Sequence, residues 1–284
     1  MEQSFLETTL GKTGLKVGRI GLSATYRPGV KTVHRALDEG VNYFFAFGLD
    51  GQMFRGLRDA LRTNREKYVL ATGAYNLLLG HPNIERTLEK RLRQFRTDYL
   101  DVFMYLGVVK EKEFPPRLID EFQRLKQTGK VRHIGLSTHA RKFAGRLAAE
   151  NAADVLMVRY NAAHRGAAQD IFPYLQPNNP GVVSFTATRW RYLFHRPSLA
   201  KWPREENVPT PGMAYRFVLS NPAVHVCMMA PSNIRQFEAN MKEVREGGPL
   251  KPEEMEFMKR FGDAVHHTKT KMFSRDDGRR AGKP

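Results

Sequence analysis

From about residue 19 to about residue 244, short runs of β-branched and aromatic residues alternate with longer runs whose apolar positions recur every three or four residues. Period two marks strands and a period near 3.6 marks helices, so this alternation predicts a succession of βα units. The predicted strands are Arg19–Ser23, Tyr43–Phe47, Tyr68–Tyr75, Tyr99–Val108, Val131–Thr138, Val155–Asn161, Gly181–Thr188 and Val224–Pro231. Between them lie apolar stripes at helical spacing, such as Ile84, Leu88, Leu92 and Phe95, or Ile234, Phe237, Met241 and Val244, with charged residues on the opposite faces. Gly40 and Gly129 stand where helices must end before the second and fifth strands, the usual place for a left-handed C-terminal glycine.

Eight such units in 284 residues predict an α/β fold of the (β/α)8 TIM barrel class. An open doubly wound sheet is the competing arrangement. It is disfavoured because the first βα turn, Gly21-Leu-Ser-Ala-Thr-Tyr-Arg-Pro-Gly29, has no G-x-G-x-x-G fingerprint and no shift in composition marks a linker. Ahead of the barrel, Thr9-Leu-Gly-Lys-Thr-Gly-Leu-Lys-Val17 reads as two short strands around a glycine-containing turn, a hairpin expected to cap one end. The whole chain, 1–284, is thus read as one domain: hairpin, barrel about 19–245, a C-terminal helix about 251–267, and a basic tail 268–284 expected to be mobile.

Composition narrows the function classes. Lys and Arg total 46 against 29 Asp and Glu, a formal charge of +17, while 41% apolar residues leave ample material for a core. The lone Cys227 excludes an intramolecular disulfide and a cysteine metal cluster. No apolar run is long enough to span a bilayer and the first residues lack a secretory pattern, so no membrane association is expected and the cytoplasm is the default location. Charge alone invites nucleic acid. Yet Arg55, Arg58, Arg62 and Arg65, and Arg86, Lys90, Arg91, Arg93 and Arg96, fall at helical spacings with Glu85 and Glu89 among them, and no nucleic-acid-binding motif accompanies them. They read as solvated faces, with nonspecific attraction to nucleic acid at most. His266 and His267 are adjacent rather than spaced for ligation, so no metal is expected.

Several segments together resemble the aldo-keto reductase family: Leu10-Gly-Lys-Thr-Gly-Leu-Lys-Val17, Gly40-Val-Asn-Tyr-Phe44, Tyr99-Leu-Asp101, Gly129-Lys-Val-Arg-His-Ile-Gly-Leu-Ser137, Tyr160-Asn161 with Arg165, and Asn240. The likeness runs in order from about residue 8 to residue 245. It implies a barrel that binds NADP(H) across its C-terminal mouth and reduces carbonyls. The family's proton donor is a tyrosine activated by a lysine paired with an aspartate, with a histidine orienting the substrate.

At those four positions this chain carries Phe45 for the aspartate, Asp50 for the tyrosine, Gly73 for the lysine and Leu106 for the histidine. A lysine buried without its aspartate would leave an uncompensated charge, so joint loss of the pair is the tolerable route. The mouth is therefore expected to be an apolar pocket lined by Phe45, Gly73, Tyr75 and Leu106, with Asp50, His139 and Arg159 at its rim. Tyr75, Asp50 and His139 are the remaining candidates for chemistry. Strand alternation puts Tyr75 on the same face as Gly73, where a pocket-wall aromatic is the plainer reading.

Cofactor positions implied by the resemblance are partly kept. Ser137 and Thr138 stand where a polar pair holds the nicotinamide amide, whereas Met157 replaces a glutamine. Thr186-Ala-Thr-Arg-Trp-Arg191 replaces a Ser-Pro-Leu phosphate loop, with Arg189 and Arg191 as compensating cations. Ser232, Asn233, Gln236 and Asn240 match the adenine end, while Ala230 and Ala239 depart from it. Three readings follow: a reductase-like protein without ordinary carbonyl reductase activity that binds NADP(H) or another small ligand, an oxidoreductase or non-redox enzyme using other residues of the same pocket, or a polyanion-binding protein.

Overall fold

A computed structural model describes residues 5–46, 51–75, 83–197 and 201–266. Strands β1 (Glu7–Thr9) and β2 (Lys16–Gly18) pair antiparallel, Glu7 opposite Gly18, around a 3-10 turn at Gly11–Thr13. This is the expected hairpin. It plugs the barrel's N-terminal end with Leu10 and Val17, both buried. Lys12 fastens it there, its amide donating to the Asn179 carbonyl at 2.7 Å and its ammonium lying 3.5 Å from Asp154. Gly11 has a left-handed φ of 49° and a Cβ there would sit 2.4 Å from the Asn179 carbonyl, so only glycine allows this approach.

The barrel proper has eight parallel strands: β3 (Ile20–Ser23), β4 (Tyr43–Phe45), β5 (Val69–Tyr75), β6 (Leu100–Val108), β7 (Val131–Thr138), β8 (Val155–Arg159), β9 (Gly181–Phe185) and β10 (Val226–Met229). They close in sequence order, β10 returning to pair with β3. Around them run α1 (Val30–Asp38), α2 (Gly51–Thr63), α3 (Ile84–Phe95), α4 (Pro116–Gln127), α5 (Arg141–Ala149), α6 (Ala167–Asp170), α7 (Pro211–Leu219) and α8 (Ile234–Gly247), then α9 (Pro252–His266). The expected (β/α)8 barrel with its hairpin cap is thus the observed fold. The predicted tail, 268–284, lies outside the described residues.

Strand ends are the main refinement. The predicted strands Val155–Asn161 and Gly181–Thr188 stop early, at Arg159 and Phe185. After the first, Asn161 turns the chain, its Oδ1 accepting from the amides of Ala163 and His164 at 3.0 and 2.9 Å. After the second, Thr186 takes a left-handed φ of 56°, which no strand continues through. Residue types alone did not distinguish these turns from strand.

Period-two alternation divides the apolar side chains into two layers. Tyr43, Phe45, Val69, Ala71, Val102, Met104, Leu106, Val155, Met157, Val183, Val226 and Met228 fill the barrel interior, while the intervening residues pack beneath the helices. At the closed end, buried Asp101 accepts from Arg65 at 2.7 Å, from the Leu70 amide at 2.9 Å and from Arg132 at 3.2 Å. Tyr99 lies between the two guanidiniums, each 4.0 Å from its ring centroid. Its hydroxyl bonds Glu66 at 2.5 Å, which in turn pairs with Arg132.

Candidate functional site

Inward positions at the C-terminal ends of β4, β5 and β6 carry Phe45, Gly73 and Leu106. These neighbouring strands bring together three positions far apart in sequence, as expected, while Asp50 lies outside the described residues. The centre is closely packed at Gly73. A Cβ on Gly73 would stand 2.1 Å from the Met104 carbonyl oxygen and 2.7 Å from Leu106 Cγ. Gly73 therefore leaves no vacancy, because β6 and the Leu106 side chain occupy its space. The β6–β7 register is irregular between Tyr105 and Val108, and Gly107 has φ of 81°, so the end of β6 departs from regular strand at this point. Phe45 and Leu106 are only 4% and 2% exposed, packed into the interior cluster.

Tyr75, two residues beyond Gly73, pairs in register with Leu106 and is 41% exposed at the mouth. Partial burial raises its phenol pKa, which makes it a poorer acid near neutrality. His139 is exposed and lies edge-on to Phe185, ring centroids 5.4 Å apart. Arg159 is half-buried at the end of β8, in register with Phe185. Phe185, inward on β9 and half-buried, supplies an aromatic face that residue-type reasoning passed over, although its alternation with Val183 marks it as inward.

The predicted polar pair on β7 divides. Ser137 shares the inward face with Gly135 and is half-buried. Thr138 points the other way: its hydroxyl donates to the Val108 carbonyl at 3.0 Å and accepts from the Ala140 amide at 2.9 Å, so both roles are taken. Met157 is buried on β8.

Beyond β9 the loop has left-handed residues at Thr186, Arg189, Trp190 and Arg191. Asn161 sets its start, Nδ2 donating to the Thr186 carbonyl at 2.8 Å. Arg189 is buried, its guanidinium donating to the Val265 and His266 carbonyls at the end of α9, with Tyr192 stacked 5.5 Å away. It serves as a clamp between loop and helix rather than as a cation open to a ligand; only the contact to α9, invisible in sequence, reveals this. Arg191 is exposed, and its charge acts on Tyr26 across the mouth. Beside it Trp190, Tyr192, His195 and Arg196 border a cavity of about 510 Å³.

Ser232, Asn233 and Gln236 are exposed around the first turn of α8, at the same end of the barrel. Asn233 Oδ1 accepts from the Gln236 amide at 3.0 Å and Gln236 Oε1 from the Ser232 amide at 2.9 Å, a reciprocal cap that spends the side-chain oxygens and leaves both NH2 groups as donors. Asn240 is half-buried one turn on. His266 lies beside His164, ring centroids 5.1 Å apart, and among the described residues no three potential ligands gather around a metal position.

Comparison with known proteins agrees with this architecture. The model of the aldo/keto reductase family matches residues 21–190. L-galactose dehydrogenase of Arabidopsis thaliana is 23% identical over 281 residues, covering 84% of this chain and 87% of its own. Among solved structures, an aldo-keto reductase of Bacillus halodurans in its holo form superposes with a TM-score of 0.74 at 21% identity, covering 91% of this chain and 96% of that one. An aldo/keto reductase of Klebsiella pneumoniae, solved in complex with NADP and acetate, gives 0.71 at 21% identity, covering 91% and 95%.

Proposed function

Since the chain belongs to the aldo/keto reductase family, we propose that it keeps the family's barrel as a ligand-binding scaffold and lacks the family's acid-assisted carbonyl reduction. One observation carries this reading: the position expected to hold the activating lysine is Gly73, and the backbone of β6 with Leu106 fills the room a side chain would need. Phe45 beside it has no charge to pair with a lysine, and Leu106 no proton to give. Tyr75, at the mouth end of β5, is a phenol that burial shifts away from acidity. Protonation of a carbonyl oxygen therefore lacks its donor, a loss worth about 10²–10⁴-fold.

A dinucleotide fits the remaining donor set at its anionic and adenosine end. Arg191, the NH2 groups of Asn233 and Gln236, and Ser232 and Asn240 would hold phosphate and base there. Thr186 Oγ1, buried and without a hydrogen-bond partner among the described residues, heads the loop on that side. Toward the nicotinamide, Ser137 and the Phe185 face remain, since Thr138 is engaged internally. NADP(H) would supply a hydride when bound; this chain's part is to hold and orient it.

Titration of pure protein with NADPH and NADH, followed by calorimetry and nicotinamide fluorescence, tests the reading together with a carbonyl reductase assay. The expected result is saturable binding of NADPH with little or no oxidation in the presence of generic aldehydes. Robust aldehyde-dependent oxidation overturns the proposal, and points to Asp50, Tyr75 or His139 as substitute acids. Absence of dinucleotide binding would remove NADP(H) and leave another small ligand.

A further inference from the structure

We propose that the outer face of α2 and α3 binds the phosphate backbone of a double-stranded nucleic acid without reading its sequence. On α2, Arg55, Arg58 and Arg62 recur at i, i+3 and i+7; on α3, Arg86, Lys90 and Arg93 recur at i, i+4 and i+7, and Arg96 follows at the helix end. All seven are exposed. The helices pack side by side, Phe54 meeting Phe95 with ring centroids 4.7 Å apart. A seven-residue stripe spans about 10 Å at 1.5 Å per residue.

What separates this face from an ordinary wet surface is pairing. Among the described residues, Arg55, Arg58, Arg86, Lys90, Arg93 and Arg96 make no ion pair, and Arg62 makes one at 3.3 Å with Asp59, both side chains more than four-fifths exposed. Glu89, which interrupts the α3 stripe in sequence, is taken by Lys130 at 2.6 Å. By contrast α8 interleaves Arg235, Lys242 and Arg245 with Glu238, Glu243 and Glu246, with Arg245 paired to Glu39 and Glu238 to Arg35.

The chemistry selects the partner. Six of the seven cations are arginines, whose planar forks match phosphate oxygens. A duplex carries one charge per about 1.7 Å of axis, so a patch of this length meets several phosphates. Among the described residues, the exposed large apolar side chains are Tyr26, Tyr75, Val109 and Tyr174, none of them on α2 or α3. The described residues of α2 and α3 therefore offer neither an exposed apolar anchor for a lipid surface nor an aromatic platform for stacked single-stranded bases.

The test measures fluorescence anisotropy of a 20-base-pair DNA duplex with full-length protein across a KCl series. Three proteins are compared with the parent: Arg58→Gln/Arg86→Gln/Arg93→Gln; a charge-matched control, Arg117→Gln/Arg124→Gln/Lys242→Gln; and a tail variant, Lys269→Gln/Lys271→Gln/Arg279→Gln/Arg280→Gln. Binding is expected to weaken with salt, and the face variant should lose at least tenfold in affinity at 50 mM KCl, its log–log salt slope becoming shallower by about 0.9 per contact removed. The control and the tail variant should stay within about threefold of the parent. No duplex binding by the parent, equal losses in face variant and control, loss confined to the tail variant, or preference for phosphatidylserine vesicles over duplex each overturns the proposal. Circular dichroism and thermal midpoints matching the parent show that the exposed substitutions leave the fold intact.

Discussion

At the closed end of the barrel, Asp101 and Asp154 each face several partners; at the mouth, the inward positions of three successive strands are Phe45, Gly73 and Leu106. Asp154 takes Lys126 at 2.8 Å, the Ile134 amide at 3.0 Å and Lys12 of the hairpin at 3.5 Å. Burial alone would raise its pKa, yet the bonds from Lys126 and Ile134, with the charges of Lys126 and Lys12, hold it below the usual range. The contrast teaches where this barrel has kept its buried polar interactions. In such folds the closed end answers to stability and the mouth to chemistry, and here the charged network serves the closed end while the described centre of the mouth is apolar and filled.

The sharpest way to break the comparison is to strike its polar end. Asp101→Ala leaves Arg65, whose side chain is 13% exposed, facing Arg132 without the shared carboxylate. Removing one partner of a buried pair costs roughly 3–5 kcal/mol. Chemical denaturation should show a loss of that order. A loss below about 1 kcal/mol would mean that the network is ornamental and the contrast between the two ends empty.

Next in size is Gly73→Ala at the mouth. The added methyl meets the Met104 carbonyl oxygen, a backbone atom, so overpacking should cost about 1–3 kcal/mol. Leu106→Ala should fail to rescue it, because trimming Leu106 removes only the 2.7 Å contact and leaves the one at 2.1 Å. The same clash predicts that Phe45→Asp, Asp50→Tyr, Gly73→Lys and Leu106→His together destabilise the barrel rather than confer reductase activity. Full rescue in Gly73→Ala/Leu106→Ala, read from denaturation midpoints, would show that β6 yields and that the site can reopen.

A third measurement concerns pH. His225, just ahead of β10, accepts the Val182 amide on Nδ1 at 2.9 Å, which requires a bare nitrogen. Burial, then the charge of Arg19, push its pKa down to about 4. Between pH 6.5 and 4 the unfolded chain takes up a proton that the folded chain refuses. Stability fully present above about 6.5 is therefore lost as pH falls, by about 2–3 kcal/mol. Asp154 adds its own loss only at lower pH, since its pKa lies below the ordinary carboxylate value. His225→Gln should flatten the profile from pH 6.5 to 4.5; an unchanged slope would assign the dependence to other groups.

Much of this was legible in the sequence. Strand alternation gave the inward positions Phe45, Gly73 and Leu106, because a barrel's inward positions follow period two whatever the residues are. The hairpin plug and the glycine-terminated helices followed from local backbone chemistry. What stayed hidden depends on contacts between distant segments. Gly73 reads as an empty position until β6 is seen lying across it, and Arg189 reads as a phosphate ligand until the end of α9 supplies carbonyls for it. Thr138 looks like a partner for an amide until its hydroxyl is found bridging Val108 and Ala140. Composition named many basic residues; only the three-dimensional pairing separates the stripes of α2 and α3, where among the described residues Arg62 alone makes an ion pair, from arginines such as Arg65 and Arg216 that hold buried or half-buried carboxylates.

The smallest expected effect falls on Tyr75, and it discriminates most finely between the two ends. Removing the hydroxyl of a side chain 41% exposed at the mouth should change stability by less than about 0.5 kcal/mol, since water replaces whatever the oxygen contacts. Tyr75→Phe is therefore free of the folding penalty that complicates Asp101→Ala and Gly73→Ala. If the mouth has no general acid, the change leaves dinucleotide affinity and any residual turnover as they were. If Tyr75 had taken over protonation, turnover would fall by about 10²-fold or more while cofactor affinity held. The raised pKa of its phenol favours the first outcome, because a donor held above its ordinary value gives up its proton less readily just when the oxygen needs it.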